Sequence, residues 1–141
     1  MSFSASMVKE LREKSGAGMM DCKKALIETE CNMDDAIDWL RKQGLSAVAK
    51  KSSRVAAEGL IGITIKDTKG GMIEINSETD FVARNELFQS FVKTCSDLVL
   101  TSKSNIDVLK NLTFSNSDNT VDQELKNNIA TIGENMNIRR I

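Results

Sequence analysis

Asn76-Ser77-Glu78-Thr79-Asp80-Phe81-Val82-Ala83-Arg84-Asn85 marks the point where one kind of structure gives way to another. Upstream, Gly70-Gly71 opens a short run in which Met72, Ile73 and Ile75 read as strand. Downstream, Phe88, Phe91, Val92, Cys95, Leu98 and Val99 recur at helical spacing. Phe81 lies between these patterns, a bulky ring among polar residues. Two orientations are open to it. Turned inward it is the first anchor of the helix, as most large apolar side chains are; turned outward at the bend it is a wedge for another protein. The start of the helix is equally open. Thr79 or Asp80 can cap it directly, or Asn85 can do so with Glu86 in the first turn.

Before this junction, from Val55 onward, the apolar pattern has a period of two. Ile61, Ile63 and Ile65 fall on one face, with Leu60, Gly62 and Thr64 on the other. Asp67-Thr68-Lys69-Gly70-Gly71 predicts a turn into the Met72 to Ser77 strand, hence an antiparallel hairpin that the long helix then covers. After that helix come a short helical segment around Ile106 to Leu112 and a polar stretch from Ser115 to Asn119. Thr120 and Gln123 then form a capping-box pair. Val121, Leu125, Ile129 and Ile132 line the helix they open, Gly133 stops it, and a strand begins near Asn137.

The first 44 residues carry a period near 3.6 and predict three short helices. Ser4 or Ser6 can cap the first, which holds Val8 and Leu11, and Gly16 suits the left-handed turn that ends it. The second places Met19, Cys22, Ala25 and Leu26 on one face. Asn32 caps the third, where Asp34-Asp35 complements the positive end of the helix dipole, and Gly44 can close it. Met33, Ala36, Ile37 and Leu40 supply its inner stripe, with Trp39 at the edge. Met19 and Met20 are adjacent, so one helix cannot bury both equally. One of them packs in the core, or one or both form an adaptable apolar spot for a partner. The fold class expected is α+β, with a three-helix domain and basic linker over residues 1 to 54. Part of an α+β core, an antiparallel sheet covered by helices, occupies residues 55 to 141.

Three long blocks of this sequence resemble the elongation factor Ts family of translation factors. The first is Val8-Lys9-Glu10-Leu11-Arg12-Glu13-Lys14 with Gly16-Ala17-Gly18-Met19-Met20-Asp21-Cys22-Lys23-Lys24-Ala25-Leu26. The second is Thr79-Asp80-Phe81-Val82-Ala83, and the third is Ile132-Gly133-Glu134-Asn135-Met136-Asn137-Ile138-Arg139-Arg140. The resemblance implies a ubiquitin-associated type of helical module at the N-terminus. It also implies exchange of guanine nucleotide on elongation factor Tu, with Thr79, Asp80, Phe81 and Val82 displacing the segments that hold the partner's magnesium ion. Arg12, Met19, Met20, Ile132 and Gly133 match family positions that face the same partner. Members of the family continue into a second half of the core and further helical modules, so the chain is expected to be an N-terminal portion.

Composition bounds the function independently. The chain has 141 residues, 40% of them apolar, and suits a soluble globular protein with one modest core or two small ones. No apolar run approaches the ~20 residues needed to cross a bilayer, and residues 1 to 6 lack the basic and apolar regions of a secretory signal. A cytoplasmic location is expected, with Cys22, Cys31 and Cys95 as reduced thiols. The chain contains no histidine, so the usual general base and the commonest metal ligand are both missing. Gly16-Ala17-Gly18 lacks the Lys-Ser/Thr of a phosphate loop. Neither enzymatic chemistry nor a bound cofactor or metal is expected. Residues 1 to 54 carry ten Lys/Arg against eight Asp/Glu and residues 55 to 141 carry nine against twelve, so there is no basic stripe of the kind that binds nucleic acid. Lys50, Lys51 and Arg54 form a small basic cluster, either a solvated linker or helix end or a contact, centred on Lys51, to an acidic partner surface.

Overall fold

The caps written into the first 32 residues are used, as the computed structural model, which describes residues 3–141, makes plain. Helix α1 (Ala5–Ser15) begins where Ser4 accepts a hydrogen bond from the Met7 N–H at 3.3 Å. It ends at Gly16 (φ 69°), whose N–H donates to the Arg12 carbonyl. Helix α2 spans Met19–Glu28. Helix α3 (Met33–Lys51) is capped by Asn32, whose Oδ1 accepts from the N–H groups of Asp34 and Asp35. Val8, Leu11, Cys22, Ala25, Leu26, Ala36 and Leu40 form the shared core, which these short helices need because none is stable alone.

Two expectations for this region are corrected. Gly44 does not end α3, which runs through it to Lys51. A helical glycine costs only about 1 kcal/mol against alanine, and Leu45, Ala47, Ala49 and Lys50 are favourable helix formers. Lys50 and Lys51 also complement the negative end of the helix. Met19 does not share the inner face with Cys22, Ala25 and Leu26. Ala17, in the preceding turn, packs against that core instead, and both Met19 and Met20 are left in solvent.

The chain divides at Ala49/Lys50 into two compact units. The second holds an antiparallel sheet of order β1-β2-β3, built from β1 (Glu58–Lys66), β2 (Lys69–Ser77) and β3 (Met136–Arg140). The hairpin is tighter than its sequence predicts. Lys66 pairs with Lys69 across a two-residue turn in which Asp67 takes φ 54°, so Gly70 and Gly71 belong to the strand. Helix α5 (Glu86–Val99) buries Phe88, Phe91, Val92, Cys95, Ser96 and Val99. It lies on the sheet face that carries Gly62 and Gly71, where a Cβ on Gly71 would come within 2.8 Å of Val99 Cγ1. The small residues of that face make room for the helix. Ile61, Ile63, Ile65 and Met72 consequently fall on the open face, each more than half exposed.

Helix α6 (Ile106–Asn111) and helix α7 (Val121–Ile132) complete the unit. The Thr120–Gln123 capping box is present in both directions, and Gly133 ends α7 in the left-handed region at φ 88°. Phe114, between these helices, stacks on Phe91 with ring centroids 5.6 Å apart. The result is an α+β arrangement in which the strand-to-helix junction after β2 and the helix-to-strand junction before β3 are hydrogen-bonded to each other.

Candidate partner-binding site

Both helix starts left open by the sequence around Phe81 are used. Asp80–Ala83 forms a single helical turn, α4, and Asn85 then caps α5 by accepting from the N–H groups of Leu87 and Phe88. Splitting the helix in two separates the fates of neighbouring side chains. Val82 is buried, whereas Phe81 is 78% exposed. The inward orientation of the ring is therefore not the one adopted; Val82 supplies the anchor, and its side chain is turned away from solvent. Asp80 is exposed as well, with the exposed Arg84 guanidinium 3.5 Å away. An ion pair of that kind contributes little and leaves the carboxylate accessible.

Thr79 occupies the cap position of α4, yet its side chain makes no cap hydrogen bond. It is held from a distance in sequence instead. Glu134 accepts from the Thr79 N–H at 3.0 Å through Oε2 and from the Thr79 hydroxyl at 2.7 Å through Oε1, while the Thr79 carbonyl accepts from Ser77 Oγ at 3.0 Å. One residue back, Glu78 Oε1 accepts from the Asn135 N–H at 2.6 Å and lies 3.6 Å from the Arg54 guanidinium. Asn135 in turn donates its side-chain amide to the Arg54 carbonyl at 2.7 Å.

The second unit thus brings together the Thr79–Val82 segment, the residues that follow the Ile132-Gly133 turn, and Arg54. Lys51, half-buried in the last turn of α3, accepts the Arg54 N–H on its carbonyl at 2.9 Å. Ile132 is half-buried and Gly133 exposed. Arg12, Met19 and Met20 belong to the first unit. There Arg12 is exposed in the last turn of α1, and Met19 and Met20 open α2 at 51% and 71% exposure. Glu78, Glu134 and Asn135 were not singled out by sequence reasoning, and Arg54 entered it only as a member of the basic cluster with Lys50 and Lys51. No local signal could have linked them, since the hydrogen-bonded pairs Thr79–Glu134, Glu78–Asn135 and Asn135–Arg54 lie 55 to 81 residues apart along the chain.

Among the described residues no group of Cys, Asp and Glu could hold a metal ion, and no helix is long and apolar enough to cross a membrane. Burial pushes the Cys95 thiol up to about 12, so it remains protonated near neutrality and packs as an apolar group. The site offers an exposed ring, an exposed carboxylate and backbone turns, which suits recognition of another macromolecule by shape.

Comparison with known proteins agrees with the motifs. A family model described as Elongation factor TS matches residues 78–141. Proteins named Elongation factor Ts from Rhodospirillum centenum, Rhizorhabdus wittichii and Rhodospirillum rubrum are 58%, 56% and 54% identical to this chain, each over 98% of its length. The chain spans about 45% of the length of those relatives. With residues 78–141 matching the family's model and 98% of its own length aligned with proteins of that name, the chain belongs to the elongation factor Ts family.

Proposed function

We propose that this chain acts in translation elongation as a guanine-nucleotide exchange factor, binding elongation factor Tu and promoting GDP release with Phe81 as the wedge. The observation that carries this reading is the exposure of Phe81 on a turn whose next residue, Val82, is buried. A ring so placed is presented rather than left over. Elongation factor Tu, as the family resemblance implies, holds GDP with a magnesium ion. That ion requires near-octahedral coordination, so a small displacement of the surrounding segments weakens ion and nucleotide together. Phe81 enters an apolar gap in the partner and favours the displaced arrangement; Asp80 makes polar contacts at the rim. Thr79 and Val82 hold the turn from behind. Coupling is reciprocal, so a factor that weakens GDP also binds the GDP-bound partner less well than the empty one, and GTP then expels it. No covalent step, cofactor or nucleic-acid contact is needed, and the compartment is that of protein synthesis, the cytoplasm.

Burying one Phe is worth ~1.5–3 kcal/mol, comparable with the ~1–3 kcal/mol typical of coupling between two sites. The test is release of fluorescent GDP from elongation factor Tu. Phe81→Ala is expected to slow the accelerated rate at saturating factor by roughly 10- to 100-fold, as loss of that burial implies. Acceleration equal to that of the unaltered chain would remove Phe81 from the mechanism.

A second reading is a non-catalytic interaction module. It is favoured by the adjacent exposed Met19 and Met20, a flexible apolar spot suited to a partner helix. Binding without acceleration of GDP release, abolished by Met20→Asp but not by Phe81→Ala, would select it.

A further inference from the structure

The β2–β3 ladder does not stop at its last backbone pair. Ser77 pairs with Met136, and one step further out Glu78 meets Asn135, then Thr79 meets Glu134. In these two outer steps a glutamate side chain replaces the backbone carbonyl as acceptor. Glu78 receives the Asn135 N–H from one side, and Glu134 receives the Thr79 N–H from the other. A side-chain acceptor is longer than a carbonyl, so the two chains can part here and still satisfy their N–H groups. That parting is what lets α4 leave the sheet and turn Phe81 into solvent. Gly133, in the left-handed region, sets the direction from which Glu134 arrives.

We infer that Glu134 is a positioning residue for the wedge: by fixing the N–H and hydroxyl of Thr79, two residues before Phe81, it holds the ring in its outward aim before any partner arrives. This rests on the exchange reading above. Thr79 has its N–H, hydroxyl and carbonyl all engaged, and Glu134 accepts the first two. Without it α4 is held mainly by the buried Val82, and the ring populates other directions. A binder whose competent arrangement is only partly populated loses apparent affinity by that fraction, while the bound complex is unchanged.

The experiment measures acceleration of fluorescent GDP release against factor concentration for the unaltered chain, Glu134→Ala, Glu134→Gln and Phe81→Ala. Glu134→Ala is expected to raise the half-saturating concentration roughly tenfold, the loss expected of a hydrogen bond to a charged group, and to leave the plateau rate in place. Glu134→Gln, which keeps one acceptor oxygen, recovers part of the shift. Phe81→Ala lowers the plateau instead. A half-saturating concentration in Glu134→Ala equal to that of the unaltered chain, or one explained wholly by a lowered melting midpoint, overturns the assignment. Hydrogen exchange of the Thr79 amide supplies an arm that needs no partner: it should quicken about tenfold in Glu134→Ala. If the unaltered chain fails to accelerate release, the exchange reading falls, and the amide measurement still decides whether Glu134 holds the turn.

Discussion

Phe81 and Phe88 stand seven residues apart on the same stretch of chain, one 78% exposed and the other fully buried. Both sit at the start of a helical segment. What separates them is the cap at Asn85, where one helical turn has ended and a new helix begins. Phe88 falls on the inner stripe of α5 beside Phe91 and Val92, whereas Phe81 falls on the outer side of a turn anchored by Val82. A second contrast lies within the sheet. Ile61, Ile63 and Ile65 are as apolar as any core stripe, yet they face solvent because the opposite face carries the small residues that α5 needs. Exposure of an apolar side chain is therefore not itself a sign of a wedge. Phe81 differs from the isoleucine stripe in being held by a dedicated network behind it.

Substituting the two phenylalanines separates stability from function most sharply. Phe88→Ala should destabilise the chain by about 3–5 kcal/mol, as removal of a fully buried ring does, and chemical denaturation will show a lowered midpoint. Phe81→Ala should leave that midpoint within about 0.5 kcal/mol of the unaltered protein, as for other surface changes, while slowing the accelerated GDP release roughly 10- to 100-fold. Equal destabilisation by both would mean that the ring at position 81 is packed in solution.

The two faces of the sheet provide the next test. Gly71→Val places a branched side chain where Val99 already stands 2.8 Å from the added Cβ, and overpacking of this kind costs about 1–3 kcal/mol. Ile63→Thr, on the open face, keeps a β-branched residue and should change stability by less than about 0.5 kcal/mol. Denaturation midpoints of the two variants measured side by side check the assignment of faces; the reverse order would show that α5 packs on the isoleucine side.

Much of this was legible because it was local. The Asn32 cap, the Gly16 and Gly133 stops and the Thr120–Gln123 box depend on residues within a few positions of one another, and the structure uses each. Gly44 misled because a glycine signal is weaker than the helix-forming residues that follow it. Alternation in β1 revealed a strand but not its inner face. Both faces carry residues compatible with burial, and the choice depends on how closely a helix distant in sequence can approach. Phe81 was identified as a candidate, yet its orientation depended on whether one helix or two followed Thr79. Glu134 lay in a quoted motif without a role, because its partner is 55 residues away and hydrogen bonds across that separation leave no periodic trace.

The open face also carries the smallest effect expected here, at Glu74. Its carboxyl is held below the usual carboxylate range, first by the hydrogen bond from Arg140 and then by that from Asn76. A carboxylate whose folded pKa is depressed binds more protons when unfolded, so its contribution is present above the unfolded value, near 4.5, and disappears as pH falls through the lower folded value. The gap in melting midpoint between the unaltered chain and Glu74→Gln should therefore exist at pH 7 and close progressively below pH 4.5. Because the Arg140 side chain is largely exposed, added salt should narrow the gap at pH 7 as well. A gap that persists unchanged to pH 2 would assign the effect to packing beside Ile61, its cross-strand neighbour, and would make the open face more like the buried one than its exposure suggests.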